Sequence, residues 1–217
     1  LLNINHPSKY LKKSWNQLLD NISVVCDKRI ILSLNINKEN FEYDYLLDIA
    51  TKFDVKYIRW SFAHPIYKNT EKQFSQNYFP ISRYKQITKR ILNFIEKAGS
   101  LGIHTLGDHS VILCMFTPEE IDKIHLIGGE LNSKCEGTID ILPDLQVIYC
   151  IPMYSFFPKV YLYEFSSLSE IDLYFESRII PFRIESYPFT DCYKCEYSAS
   201  GKCHGGCIAQ GSIISIC

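Results

Sequence analysis

Cys192-Tyr-Lys-Cys195, followed by Cys203-His-Gly-Gly-Cys207, is the part of this chain whose residue types and spacing best support chemistry. A CxxC brings two thiolates onto one metal centre, and the turn between them can aim backbone N–H groups at sulfur. Gly205 and Gly206 allow the backbone to approach a bulky inorganic group that a side chain would obstruct. Thiolates suit both zinc and iron–sulfur clusters, so ligand type alone leaves the metal open. The chain has nine cysteines. Cys26 and Cys114 stand apart, whereas Cys135, Cys150, Cys192, Cys195, Cys203, Cys207 and Cys217 crowd toward the C-terminus. Those seven exceed one tetrahedral site, and two four-ligand clusters would nearly account for them. Zinc ribbons pair two similar knuckles, but the second half here is CxxxC, which favours iron–sulfur over zinc. The odd cysteine count and the absence of an export signal point to metal-bound thiolates in a reducing cytoplasm, not to disulfides.

The elements that must position these residues fall into two stretches. In the first, helical stripes (Trp15, Leu18, Leu19, Ile22, Val25; Leu46, Ile49, Ala50, Phe53; Tyr84, Ile87, Ile91, Phe94, Ile95, Ala98) alternate with short strands at Leu1–Asn5, Arg29–Ile36 and Val55–Phe62. This period switching predicts an α/β fold with parallel strands and crossover helices. Three units are too few to close a barrel and could be its last part. The chain opens on a strand without an initiator methionine, which predicts a fragment whose upstream part is missing. From residue 107 the character changes. Thr117-Pro118-Glu119-Glu120 and Ser167-Leu168-Ser169-Glu170 read as capping boxes that start helices, the second running to about Ile179. Thr138–Leu142 and Gln146–Cys150, joined by Pro143-Asp144-Leu145, read as a β-hairpin. The segment from Cys192 on lacks apolar material for a core of its own, and metal ligation would supply its order.

Cys135-x14-Cys150 around the hairpin, Cys192-x2-Cys195-x7-Cys203-x3-Cys207 and a final Cys217 together resemble the SPASM extension, which carries auxiliary clusters in many radical S-adenosylmethionine enzymes. Two features depart from that pattern: the middle gap is seven residues where five is usual, and Leu145 stands where glycine is common. The resemblance covers about residues 110–217. It implies the C-terminal half of a partial (β/α)6 barrel over residues 1–106, then a small α+β cysteine-rich SPASM-like domain over 107–217. It also implies two auxiliary 4Fe-4S clusters, one on Cys192, Cys195, Cys203 and Cys217 and one on Cys135, Cys150 and Cys207. Cys114 is the natural fourth ligand of the latter, or else a small core residue, or the iron site is open. The CxxxCxxC loop, whose own 4Fe-4S cluster cleaves S-adenosylmethionine, is absent here and is expected upstream; Cys26, alone at a helix end, does not replace it. By the same resemblance Asn3, Asn5 and Asn35, with Asn37, would contact S-adenosylmethionine from strand ends; alternatively they cap turns. Arg59 and Ser61 invite a similar reading with less support. His109 and His204, near cysteines, read as surface or hydrogen-bonding histidines.

The implied function is 5′-deoxyadenosyl radical chemistry on a peptide or protein substrate, with an external electron donor of the flavodoxin or ferredoxin type. The alternative is a non-enzymatic module, a structural zinc domain or an iron–sulfur electron carrier. Lys plus Arg (23) nearly balances Asp plus Glu (24), so charge argues for neither a nucleic-acid nor a membrane partner. No apolar run approaches the roughly 20 residues of a membrane span.

Overall fold

The computed structural model describes residues 1–25, 30–68, 73–75, 77–108, 111–154 and 156–211. In chain order the elements are β1 (Leu2–Asn3), α1 (Lys12–Val25), β2 (Leu32–Ile36), α2 (Asp44–Lys52), β3 (Tyr57–Phe62), the ribbon β4 (Tyr67–Lys68) and β5 (Gln73–Phe74), α3 (Tyr84–Ser100), β6 (His104–Gly107), α4 (Pro118–Leu126) and β7 (Gly129–Leu131). Then follow β8 (Asp140–Ile141), β9 (Gln146–Ile148), β10 (Val160–Tyr161), α5 (Leu168–Glu185) and α6 (Glu196–Ala199).

Five strands form one parallel sheet in the order β1-β2-β3-β6-β7, the order in which the chain makes them. The register pairs Leu32 with Ile58, Leu34 with Trp60 and Ile36 with Phe62, and all six side chains are buried. Alternation then sends Ser33, Asn35, Arg59 and Ser61 to the other face. The helices pack on the apolar face: Ile22 of α1, Leu46 and Ile49 of α2, Ile87, Ile91, Phe94 and Ile95 of α3, and Ile124 of α4 share one core with those strand residues. Gly107 is required here, because a Cβ would stand 2.5 Å from Trp60 Cζ2. Position 107 must stay bare for the indole to lie across β6.

The sheet therefore continues past residue 107. β6 and β7, too short for a periodic signal, add two strands, and the first core reaches Ile124 with Leu131 packed against it. The boundary expected at 106/107 is not where the cores divide. The Thr117 capping box is formed, with Glu120 N–H donating to Thr117 Oγ1 and Thr117 N–H to Glu120 Oε2.

A second core begins after β7. The antiparallel sheet β10-β9-β8 packs against α5 through Val147, Val160, Ile171, Phe175 and Ile179, with Cys207, Ile208 and Ala209. The hairpin forms as expected, though over fewer residues, and Leu145 holds φ +66°. α5 runs beyond Ile179 to Glu185 and accommodates Pro181 within it. The C-terminal segment joins the two cores through Gln210, which is buried. Its Oε1 accepts from Ile81 N–H (2.7 Å), and its Nε2 donates to Phe79 O (3.0 Å) and Tyr84 Oη (2.8 Å). Among the described residues no helix is long and apolar enough to cross a membrane.

Candidate metal centres

The described cysteines of the second stretch gather in two places. Cys135 follows β7, Cys150 ends the hairpin, and Cys207 opens the last described turn. All three line one cavity of about 360 Å³ together with His64, Tyr149, Arg183 and Ile208. Cys114, Cys192, Cys195 and Cys203 line a second, much smaller cavity of about 20 Å³ with Ile112, Phe189, Tyr197, Ser198 and Gly205. Local hydrogen bonds explain how the chain folds there. Cys192 N–H donates to Phe189 O and Cys195 N–H to Cys192 O, closing the CxxC turn before α6. Cys203 N–H donates to Tyr197 O (3.0 Å), and Gly205 N–H points at Cys203 Sγ (3.4 Å).

Cys135, Cys150 and Cys207 thus line one cavity, and Cys192, Cys195 and Cys203 the other, together with Cys114. Cys114 stands with Cys192, Cys195 and Cys203, away from the three-thiol cavity where the resemblance would use it as fourth ligand. The reason is tertiary. The one-turn helix Leu113–Met115 follows β6, and the C-terminal segment folds back over it. Cys114 is exposed as a residue, yet it is part of the lining of this cavity. Cys26, His109 and Cys217 lie outside the described residues.

Loss of water dominates the electrostatics, and neighbouring thiols add to it at Cys150, Cys192 and Cys114. Burial first, then Cys207 and Cys135, push the Cys150 thiol far above its ordinary range. Burial likewise pushes Cys207 up to about 11, against the pull of the Ala209 and Gln210 N–H groups and Arg183. Cys192 and Cys114 are raised by burial first, with neighbouring thiols of their own cavity adding to it. Such thiols are poor nucleophiles unaided. A cation reverses that logic by stabilising the thiolates directly. Among the described residues, no three His, Cys, Asp or Glu side chains are placed to hold a single metal ion. Thiolates on a multinuclear cluster stand farther apart than those on one ion, since each binds a different iron. Sulfur donors suit a soft centre; Glu136, Asp140 and His64 share the lining of the larger cavity with its three cysteines, whereas no carboxylate or imidazole lines the smaller one.

Arg183 was not foreseen. It reaches the three-thiol cavity from the last turn of α5, where Nη2 donates to Cys135 O. Its Nε is buried with no hydrogen-bond partner among the described residues. A guanidinium here offsets negative charge accumulating on the sulfurs. The expectation that α5 stops near Ile179 hid it. His204 has a hydrogen-bonding place: Cys135 N–H donates to its Nδ1 (3.1 Å). Burial and Arg183 lower its pKa, which keeps that nitrogen an acceptor. Gly205 and Gly206 have positive φ (+73° and +89°), and a Cβ on Gly206 would meet Ile81 Cδ1 at 2.4 Å. Glycine is thus demanded by the chain reversal and by contact with the first core.

At the sheet, Asn3, Asn5, Asn35 and Asn37 are all exposed. Asn35 is level with Ser61, and Asn3 with Ser33. Asn5 N–H donates to Tyr10 Oη, and Asn37 Nδ2 to Asn77 Oδ1. Arg59 is half-buried in an ion pair with Asp108, which also accepts from Asn132 Nδ2 (3.4 Å). The asparagines thus share the uncovered polar face, while Arg59 is held within it. Neither protein-family models nor characterised proteins nor solved structures gave a significant match to this chain.

Proposed function

We propose that this chain is the cluster-bearing part of a radical S-adenosylmethionine enzyme acting on a peptide or protein. The observation that carries the reading is the gathering of seven thiols into two separate cavities, three in one and four in the other. When bound, two auxiliary 4Fe-4S clusters would supply electron transfer or an anchor for substrate. The chain's own residues do the rest. Apolar walls, Ile112 and Phe189 at one cavity and Ile208 at the other, keep water from the sulfurs and tune potential. Arg183 offsets charge, and His204 fixes the backbone of Cys135. An electron donor of the flavodoxin or ferredoxin type would serve the clusters.

The sheet supports the same reading. A doubly wound sheet reverses its strand order and carries helices on both faces. Here the order is sequential and the core helices share one face, which is the pattern of a barrel wall. The polar face bearing Asn3 and Asn35 would then be the inner one. Its strand ends are where a barrel keeps its site and where S-adenosylmethionine would bind. The test is made on the full-length protein, reconstituted anaerobically and reduced. The reading expects a CxxxCxxC loop upstream and S-adenosylmethionine-dependent formation of 5′-deoxyadenosine. A full reading frame without that loop would refute it.

A further inference from the structure

We propose that Cys114 is the fourth ligand of the cluster held by Cys192, Cys195 and Cys203, so that this cluster joins the two cores of the molecule. The proposal rests on the iron–sulfur reading above and adds to it a ligand from the sheet half of the chain. Four thiols face one cavity whose lining includes no carboxylate and no imidazole. That uniform sulfur set is what a soft cluster selects. Cys114 does not line the three-thiol cavity.

Both walls of the site are fixed before any metal arrives. On the sheet side, Val111 N–H donates to Asn132 O (3.0 Å) and Thr88 Oγ1 to Met115 O (3.0 Å), pinning the turn on either side of Cys114. On the other side, His204 N–H donates to Ser133 O (3.0 Å), and Gln210 is locked against Phe79, Ile81 and Tyr84. Little of the chain must therefore be ordered when the thiols lose their protons to bind iron. The cavity of about 20 Å³ has room for about one water. Loading would therefore press the sulfurs outward. Cys114 and the Cys192–Cys195 turn, which are exposed or half-buried, have space to yield.

The test is iron and labile sulfide analysis of the whole chain after anaerobic reconstitution, with electron paramagnetic resonance of reduced samples. The parent should hold about eight irons, four per cluster. Cys114→Ala leaves three thiols at its cavity and should change one of the two reduced-cluster signals while the other stays as in the parent. In a Cys150→Ala background, which leaves two thiols at the larger cavity, adding Cys114→Ala should change the one remaining signal. Alkylation of the parent, read by mass spectrometry, requires no variant to fold. Cys114 should resist iodoacetamide in the loaded protein and react once the iron is chelated. Two reduced-cluster signals unchanged in Cys114→Ala, or ready alkylation of Cys114 in loaded protein, would overturn the assignment. A parent without iron or sulfide would instead sink the cluster reading itself.

Discussion

Replacing Gln210 with Met should loosen the seam that brings the cysteine segment onto the sheet half. Met has nearly the length of Gln but provides neither its acceptor nor its donors. The change leaves Ile81 N–H and Phe79 O buried without their partners and removes the contact to Tyr84 Oη. Each buried backbone group left unsatisfied costs about 1–3 kcal/mol. The added apolar surface returns about 1–2 kcal/mol. For the two backbone groups the balance is a loss of about 0–5 kcal/mol, centred near 2–3 kcal/mol. It is measured by urea unfolding of the reduced, metal-free chain, followed by circular dichroism. Gln17→Met is the control: Gln17 is exposed on α1, donates to Asn21 at the surface, and should move stability by less than about 0.5 kcal/mol. If Gln210→Met unfolds at the same urea concentration as that control, the Gln210 side chain does not hold the two cores together.

Two further predictions follow from local geometry. Leu145 sits at φ +66° in the hairpin turn, a conformation that costs a side-chain-bearing residue about 1–2 kcal/mol. Leu145→Gly should therefore raise stability by about 1 kcal/mol in the same urea assay; a loss of stability would show that the exposed leucine contributes more than its backbone costs. Tyr45 Oη donates to Ile4 O (2.8 Å), and burial pushes its pKa up to about 12. The unfolded chain ionises this tyrosine near pH 10 while the folded chain retains the proton, so its contribution is complete below about pH 10 and is lost as pH rises toward 12. Tyr45→Phe should cost about 1 kcal/mol at neutral pH and flatten the alkaline limb of the stability curve. An unchanged limb would contradict the assignment.

Much of the fold was legible because α2 and α3 bury their apolar stripes at helical spacing, with α1 burying Ile22 of its stripe, and because apolar and polar residues alternate in the sequences of β2 and β3. β6 and β7 were not, since four and three residues flanked by glycines carry no period. A proline normally ends a helix, so Pro181 concealed the last turn of α5, and Arg183 with it. At the site, the close spacing of Cys192, Cys195, Cys203 and Cys207 was plain. Spacing alone gave no means of separating Cys207 from its neighbours; the fold places it at the larger cavity and the other three at the smaller one. Cys114 joins its set only through the fold-back of the C-terminal segment, which no local pattern encodes. The departure at Leu145 carried a physical meaning that the structure supplies: the turn uses a backbone conformation that favours glycine.

The claim that these thiols hold iron–sulfur clusters is tested most directly by metal and sulfide content. The chain, purified and reconstituted without oxygen, should contain about eight irons and as many labile sulfides, with little zinc. About one zinc per chain and no labile sulfide would contradict it and leave a structural zinc module in its place.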